Sequence, residues 1–244
     1  MKKIRLAVVG CGGRMGKEII KEINNFPNCE LTGAIEEKSE YINKKIKKVI
    51  ILNNKEIAFK KADIIIDFSS TKSSIESTKM ALKLKKKLVI GTTGLNNVQI
   101  DNIKKASKKI AIVFSPNMSI GVNLLVSLVQ KVSREIFNNS SVEILDIHHK
   151  HKKDAPSGTA FALGEAVAKG INYPLKKIST MKPNKIRKKQ IGRINFFSKR
   201  QGNIVGDHIV IFNNKGEKIE LKHKGFSRSI YALGALKAAV WLSN

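Results

Sequence analysis

Cysteine is almost absent: Cys11 and Cys29 are the only two in 244 residues, too few for a disulfide framework, and neither has a metal-type partner nearby. We read both as incidental thiols. Also missing is any apolar run of the ~18–20 residues that a membrane-spanning helix needs, so no membrane partner is expected and a soluble protein is. The opening MKKIRLAVVGCGGRMG has the lysines and short apolar run of a signal peptide, but the run passes into glycines and an amphipathic helix. It reads as a first strand, and a cytoplasmic location is expected. Acidic residues are scarce, 19 against 46 Lys and Arg, which leaves a net charge of +27. Such an excess suggests phosphate neutralisation and nucleic-acid binding. The lysines are dispersed, however, through KKIKK, LKLKKK, IKKASKK and IRKK on presumed helix surfaces, alongside abundant Asn and Ile. That spread reads as a compositional bias, with polyanion attraction a side effect of the field. No specific nucleic-acid partner is expected.

With 42% hydrophobic residues the chain has enough material for one large domain or two small ones, and no internal repeat or long linker divides it. Short β-rich runs alternate with helical ones over the first half, as a wound α/β sheet requires. IRLAVV, CELTGAIE, ADIIIDF, KLVIGTT and IAIVFSP read as strands. GRMGKEIIKEINNF, STKSSIESTKMALKL and NNVQIDNIKKASKK read as helices, the last two with good amino-terminal caps. The strands are apolar almost throughout, so both sheet faces are covered and the sheet is parallel. After about residue 117 the rhythm changes to one long helix, a strand carrying histidines, a helix from Ser157 to Lys169, and three alternating segments that look antiparallel, with an Asn-Lys-Gly turn at 214–216. The closing helix has Leu233, Leu236, Ala239 and Val240 on one face and can return to the first domain. The fold class is α/β: a Rossmann-like parallel-sheet dinucleotide-binding domain (1–117 plus 226–244) and a second α+β domain with a mixed or antiparallel sheet (118–225), for substrate and oligomerisation.

Strand, GCGGRMG, helix is the arrangement that sets a dinucleotide pyrophosphate on a helix amino terminus. Met15 stands where the strict fingerprint has its third glycine, and the fit is better as Gly10-x-x-Gly13-x-x-Gly16. A tight turn without a ligand is the alternative. Glu36, ending the next strand, argues against it, since a carboxylate there accepts hydrogen bonds from the adenosine ribose. Its neighbour Glu37 would repel a 2′-phosphate, so NADH is preferred, with NADPH as the second choice kept open by Arg14 and Lys38. GTTG (91–94) and SPNMS (115–119) each follow a strand directly and together suggest a floor for the nicotinamide ring, although either alone is ordinary turn chemistry.

The segment EILDIHHKHKKDAPSGTA (143–160) holds three of the five histidines. Zinc is one reading, but His148 and His149 would point to opposite faces of a strand, and no Cys, Asp or Glu appears at ligand spacing, so no metal is assigned. Histidines capping a sheet edge are another. The third reading joins a proton donor to an anion trap: Ser157, Gly158 and Thr159 open a helix with free N–H groups, Lys152 adds a positive charge, and a histidine gives up a proton near neutral pH.

These residues resemble the 4-hydroxy-tetrahydrodipicolinate reductase (dihydrodipicolinate reductase) family, whose members carry E-x-x-H-H-x-x-K-x-D-A-P-S-G-T-A; Glu143 here stands further from the histidines than that pattern has it. VVGCGGRMG, DFSS, VIGTTGL, SPNMSIGVN, RQGNIVGDH and AVWLS extend the resemblance over nearly the whole chain. It implies that Gly10, Cys11, Gly12, Gly13, Arg14, Met15, Glu36, Gly91, Thr92, Thr93, Ser115, Pro116, Asn117 and Met118 bind the nicotinamide cofactor. It implies His148 as proton donor, Lys152 as assisting donor or anchor, and His149, Ser157, Gly158 and Thr159 as holders of a cyclic dicarboxylate. It also implies a homotetramer built through the second domain's sheet. Another NAD(P)-dependent oxidoreductase of this architecture and a nucleic-acid module on a Rossmann shell are the competing readings.

Overall fold

The computed structural model describes residues 3–180 and 190–244; the IRKK run lies outside them. Two compact units emerge, Met1–Ser119 with Arg228–Asn244, and Ile120–Ser227. The first contains β1 (Ile4–Val9), α1 (Arg14–Glu22) with a 3₁₀ turn at Ile23–Asn25, β2 (Cys29–Ile35), β3 (Lys45–Ile46), β4 (Val49–Leu52), α2 (Lys55–Lys60), β5 (Ile64–Asp67), α3 (Thr71–Lys83), β6 (Lys87–Ile90), α4 (Asn97–Ser107) and β7 (Ile112–Phe114). The sheet order is β3-β4-β2-β1-β5-β6-β7. Leu6 to Val9 and Ile64 to Ile66 are fully buried, which is why these strands carry no polar face. Every pairing is parallel except the β3–β4 edge hairpin. That hairpin and α2 fall in a stretch the sequence pattern leaves unassigned. Winding reverses between β1 and β5, so the glycine loop after β1 lies at the topological switch point, where such sheets bind ligands. Ser70 caps α3 through Ser73 N–H, and Asn96 with Gln99 forms a capping box on α4.

The second unit contains α5 (Ile120–Ile136) with a 3₁₀ turn at Phe137–Asn139, β8 (Ser141–His148), α6 (Gly158–Gly170), α7 (Leu175–Ile178), β9 (Ser179–Thr180), β10 (Ile194–Arg200), β11 (Gly206–Asn213) and β12 (Lys218–Gly225). Its sheet order is β12-β11-β8-β10-β9. One of the three segments expected to be antiparallel is not: β10 runs parallel to β8, because α6 carries the chain back before β10 begins, whereas β11 is antiparallel to β8 and β12. On one face Val142, Ile144, Val210 and Phe212 pack with Leu163 and Val167 of α6.

The chain ends in α8 (Ser229–Ser243), packed on the first unit's sheet and α1. Its buried face is Ala232, Ala235, Leu236, Ala239 and Leu242, with Leu233 and Val240 only half-buried. The expected stripe was rotated because α8 is apolar nearly all round, exposed Trp241 included, leaving little polar contrast to phase it.

Candidate active site

In the first unit the loop after β1 is spent largely on itself. Gly10 and Cys11 N–H both donate to Ile35 O (2.9 and 3.1 Å), and Gly13 N–H donates to Gly10 O (3.0 Å). Gly10 has φ +78°, a conformation that favours glycine. A Cβ on Gly16 would stand 2.1 Å from Gly10 O, so this glycine is what lets α1 approach the loop. Gly13 leads into α1 without a side-chain cap, and no acidic residue occupies the first turn, so the N–H groups of Arg14, Met15 and Gly16 face outward at the helix's positive end. Those features fit a dinucleotide pyrophosphate. Glu36 lies directly beyond β2, with Oε2 accepting from Gly12 N–H (2.8 Å) and Oε1 accepting from Glu37 N–H (3.0 Å). Cys11 contributes backbone only: its thiol is buried and pushed up to about 12, by burial first and the Glu36 charge second.

The other loops of this unit divide their duties. Thr92 is buried and donates to Asp67 Oδ1 (3.1 Å), which also accepts from Ser69 N–H (3.1 Å), Ser69 Oγ (2.6 Å) and Ser74 Oγ (2.8 Å). Asp67 thereby ties the DFSS and GTTG loops together, leaving exposed Thr93 as the accessible threonine. Gly91 leaves room for the Phe68 ring, which a Cβ would meet at 2.1 Å. Ser115 Oγ donates to Asn117 O (2.7 Å), Asn117 Oδ1 accepts from Ser119 N–H (2.9 Å), and Pro116 is exposed. Met118 is a core side chain, its carbonyl pressed against Gly234 of α8. Neither Asp67 nor Tyr41, whose ring lies 3.0 Å from where a Gly12 Cβ would be, was singled out from sequence. DFSS was the available signal for Asp67; Tyr41 sits in the unassigned stretch and offered none.

The second unit gathers its polar groups on the sheet face that holds its core. Side chains two apart share a face, so β8 continues from Val142 and Ile144 to Asp146 and His148, all buried. Cross-strand register sets His208 beside Asp146 on β11 and Ser198 beside it on β10. Asp146, not Glu143, is therefore the acidic partner of the histidines. Its Oδ1 is 2.9 Å from His148 Nδ1 and 3.5 Å from His208 Nε2. Its Oδ2 accepts from Ser157 N–H (2.9 Å) and Arg200 Nη2 (3.0 Å). The expectation that no acid stands at ligand spacing is overturned: Asp146, His148 and His208 bring possible ligand atoms within 4.8 Å of one another. The Arg200 guanidinium, though, already neutralises that carboxylate. Burial pushes the Asp146 carboxyl upward, but its bonds with His148, His208 and Ser157 outweigh burial and hold it far below the usual range.

The turn between β8 and α6 carries the remaining candidates. Lys152 Nζ pairs with Asp154 Oδ1 at 2.8 Å, and the Asp154 carboxyl is lowered because Lys152 outweighs burial. Ser157 is buried: it caps α6 through Ala160 N–H (3.2 Å), and its Oγ lies 3.4 Å from His208 Nε2. Gly158 is exposed with nothing near its absent side chain, Thr159 is half-buried, and His149, half-buried, donates its N–H to Ile204 O (2.8 Å). The structure thus brings Lys152, His148 and Ser157 to one end of the second unit.

Burial drives His208 below its ordinary titration range, more than Asp146 raises it. Burial and the His208 charge lower His223 likewise. An unfolded chain therefore takes up these protons first, near pH ~6.5, and stability is complete above that value and lost as pH falls. Melting temperature should decline from about pH 7.5 to about pH 5.5, and more shallowly in His208→Gln, by differential scanning calorimetry. Identical slopes would contradict a neutral buried His208.

Profiles described as "Dihydrodipicolinate reductase, N-terminus" and "Dihydrodipicolinate reductase, C-terminus" match residues 4–118 and 121–244. The chain belongs to the dihydrodipicolinate reductase family. It is 45% identical to the 4-hydroxy-tetrahydrodipicolinate reductase of Pelagibacter ubique, covering 100% of this chain and 94% of that one. The enzyme of that name from Buchnera aphidicola subsp. Cinara cedri is 44% identical, with 99% and 93% covered. In fold, the chain is similar to dipicolinate-bound dihydrodipicolinate reductase from Paenisporosarcina sp. TG-14, with TM-score 0.80, 24% identity, and 98% and 94% covered. Aspartate dehydrogenase from Thermotoga maritima is more distant in fold, at TM-score 0.54 and 14% identity over 100% and 98% of the two chains. Family membership covers both units, so the glycine loop and the histidine turn belong to one enzyme. Among the described residues no helix is long and apolar enough to cross a membrane.

Proposed function

We propose that this chain reduces 4-hydroxy-tetrahydrodipicolinate to tetrahydrodipicolinate with NADH or NADPH, in the diaminopimelate route to lysine, in the cytoplasm. The observation that carries the reading is the family match through both units. Loss of the C4 hydroxyl together with a C3 proton, as water, leaves a C3–C4 double bond conjugated with the ring imine; a bound reduced nicotinamide would supply the hydride for C4, and C3 then regains one proton. The open first turn of α1 holds the pyrophosphate, while Glu36 accepts from the ribose hydroxyls. Lys152 exchanges Asp154 for a substrate carboxylate, and Gly158 and Thr159 bind beside it at the α6 amino terminus. His149 and Ser157 complete the dicarboxylate site. His148 delivers the proton to C3. Asp146 lies buried beneath it, 2.9 Å from its Nδ1.

We assign NADH as the better cofactor because Glu37, exposed and 3.7 Å from Lys55, puts a second negative charge after β2. Glu37→Arg should shift the NADPH/NADH ratio of kcat/KM upward by about 10-fold, equivalent to about 1.4 kcal/mol. An unchanged ratio would remove Glu37 from cofactor choice. The outer face of the second sheet carries Leu145, Ile147, Phe197, Ile209 and Ile211, all half-buried, which supports its pairing with further copies into a homotetramer. Light scattering of the whole protein tests that mass.

A further inference from the structure

The two oxygens of Asp146 are used differently. Oδ2 is filled: Ser157 N–H, Arg200 Nη2 and Ser198 Oγ donate to it at 2.9, 3.0 and 3.3 Å. Oδ1 is left to two imidazoles, with His148 Nδ1 at 2.9 Å and His208 Nε2 at 3.5 Å. The two rings meet edge to face, centroids 5.1 Å apart and planes 71° apart. On its far edge His148 has Nε2 over Gly206, where a Cβ would intrude to 2.9 Å. Asp146 and His208 are each 1% exposed, so neither meets a substrate directly; each acts through the groups it touches, His148 and Ser157.

We propose that Asp146 and His208 are positioning residues: Asp146 keeps the His148 proton on Nδ1, so that Nε2 alone exchanges a proton across Gly206, and His208 wedges the ring in that plane. This rests on reading His148 as the proton donor. A carboxylate oxygen can only accept, so an imidazole nitrogen held 2.9 Å from it is favoured as Nδ1–H in both the charged and the neutral ring, because a bare Nδ1 would set lone pair against lone pair. Two imidazolium rings on one oxygen would repel each other, so one must be neutral. His208, the more deeply buried, has Ser157 Oγ as its second contact at 3.4 Å. Gly206 keeps the exchanging edge clear; a side chain there would press on Nε2.

The test is ¹⁵N-histidine NMR of the whole protein, with the His148 signals identified by their loss in His148→Gln. For the neutral ring the expected pattern is a protonated Nδ1 and a bare Nε2. Protonated Nε2 with bare Nδ1 would overturn the proposal. Asp146→Asn should reverse or mix the tautomers and lower kcat by about 100-fold or more with KM within about threefold, since the ring is then held in the wrong form. Should Arg200, left without its carboxylate, prevent folding, His208→Gln retains the Asp146 pairings. There we expect mixed tautomers and a kcat loss of about 10-fold at unchanged KM. A lower melting temperature with tautomer and kcat intact would mean a packing role only, and would also overturn the proposal. Full activity in His148→Gln alongside the expected tautomer would refute the donor assignment while leaving the positioning geometry standing.

Discussion

Replacing His148 with Gln lowers kcat by about 10²- to 10⁴-fold, the range general acid catalysis supplies, while affinities for NADH and pyridine-2,6-dicarboxylate stay within about threefold. The reason is local. His148 is 2.9 Å from a buried carboxylate and has its other edge over a glycine, an arrangement suited to storing and releasing one proton. Gln keeps a polar group of similar reach but carries no proton to give. The residues proposed to bind the anion lie on the following turn and are untouched by the change. Single-turnover mixing separates the two quantities: binding fast and unchanged, reduction slow. Loss of dicarboxylate affinity with kcat preserved would turn His148 into an anchor.

Gly16→Val is expected to weaken NADH binding by about 100-fold or more, equivalent to about 2.8 kcal/mol. The added Cβ would fall 2.1 Å from Gly10 O and 2.7 Å from Cys11 Cα, both backbone, so the conflict cannot be relieved by turning a side chain. Either the first turn of α1 swings away from the loop or the loop leaves its bonds to Ile35. Both outcomes remove the N–H groups that would face the pyrophosphate. Titration calorimetry with NADH reads the loss, and a control titration with pyridine-2,6-dicarboxylate reports whether the second unit is intact. Unchanged NADH affinity would mean that the cofactor does not use this loop.

Much of this was legible before any coordinates. Strands with no polar face announced a covered parallel sheet, and the Gly10, Gly13 and Gly16 spacing matches the close contact of α1 with β1. The proposal of His148 as proton donor came from the histidine turn. What escaped was anything set by pairing between distant strands. Asp146 and His208 are 62 positions apart, and only the β8–β11 register makes them neighbours. Arg200 reaches Asp146 from a strand whose direction was misread, since alternation alone does not distinguish parallel from antiparallel. Ser157 is expected as a substrate ligand and also caps α6; a serine before a helix suits both roles, and its burial is visible only in the fold. The side chains of Thr92 and Met118 serve Asp67 and the core, so a part for either residue in cofactor binding falls to its backbone.

The central claim is that one chain couples a reduced nicotinamide to an anionic ring intermediate. It is tested most directly by supplying the condensation product of pyruvate and aspartate semialdehyde and following NADH and NADPH oxidation separately. Consumption of cofactor in step with substrate is expected, faster with NADH and slower by about 10²-fold or more in His148→Gln. No oxidation of either cofactor by folded wild-type protein would contradict it.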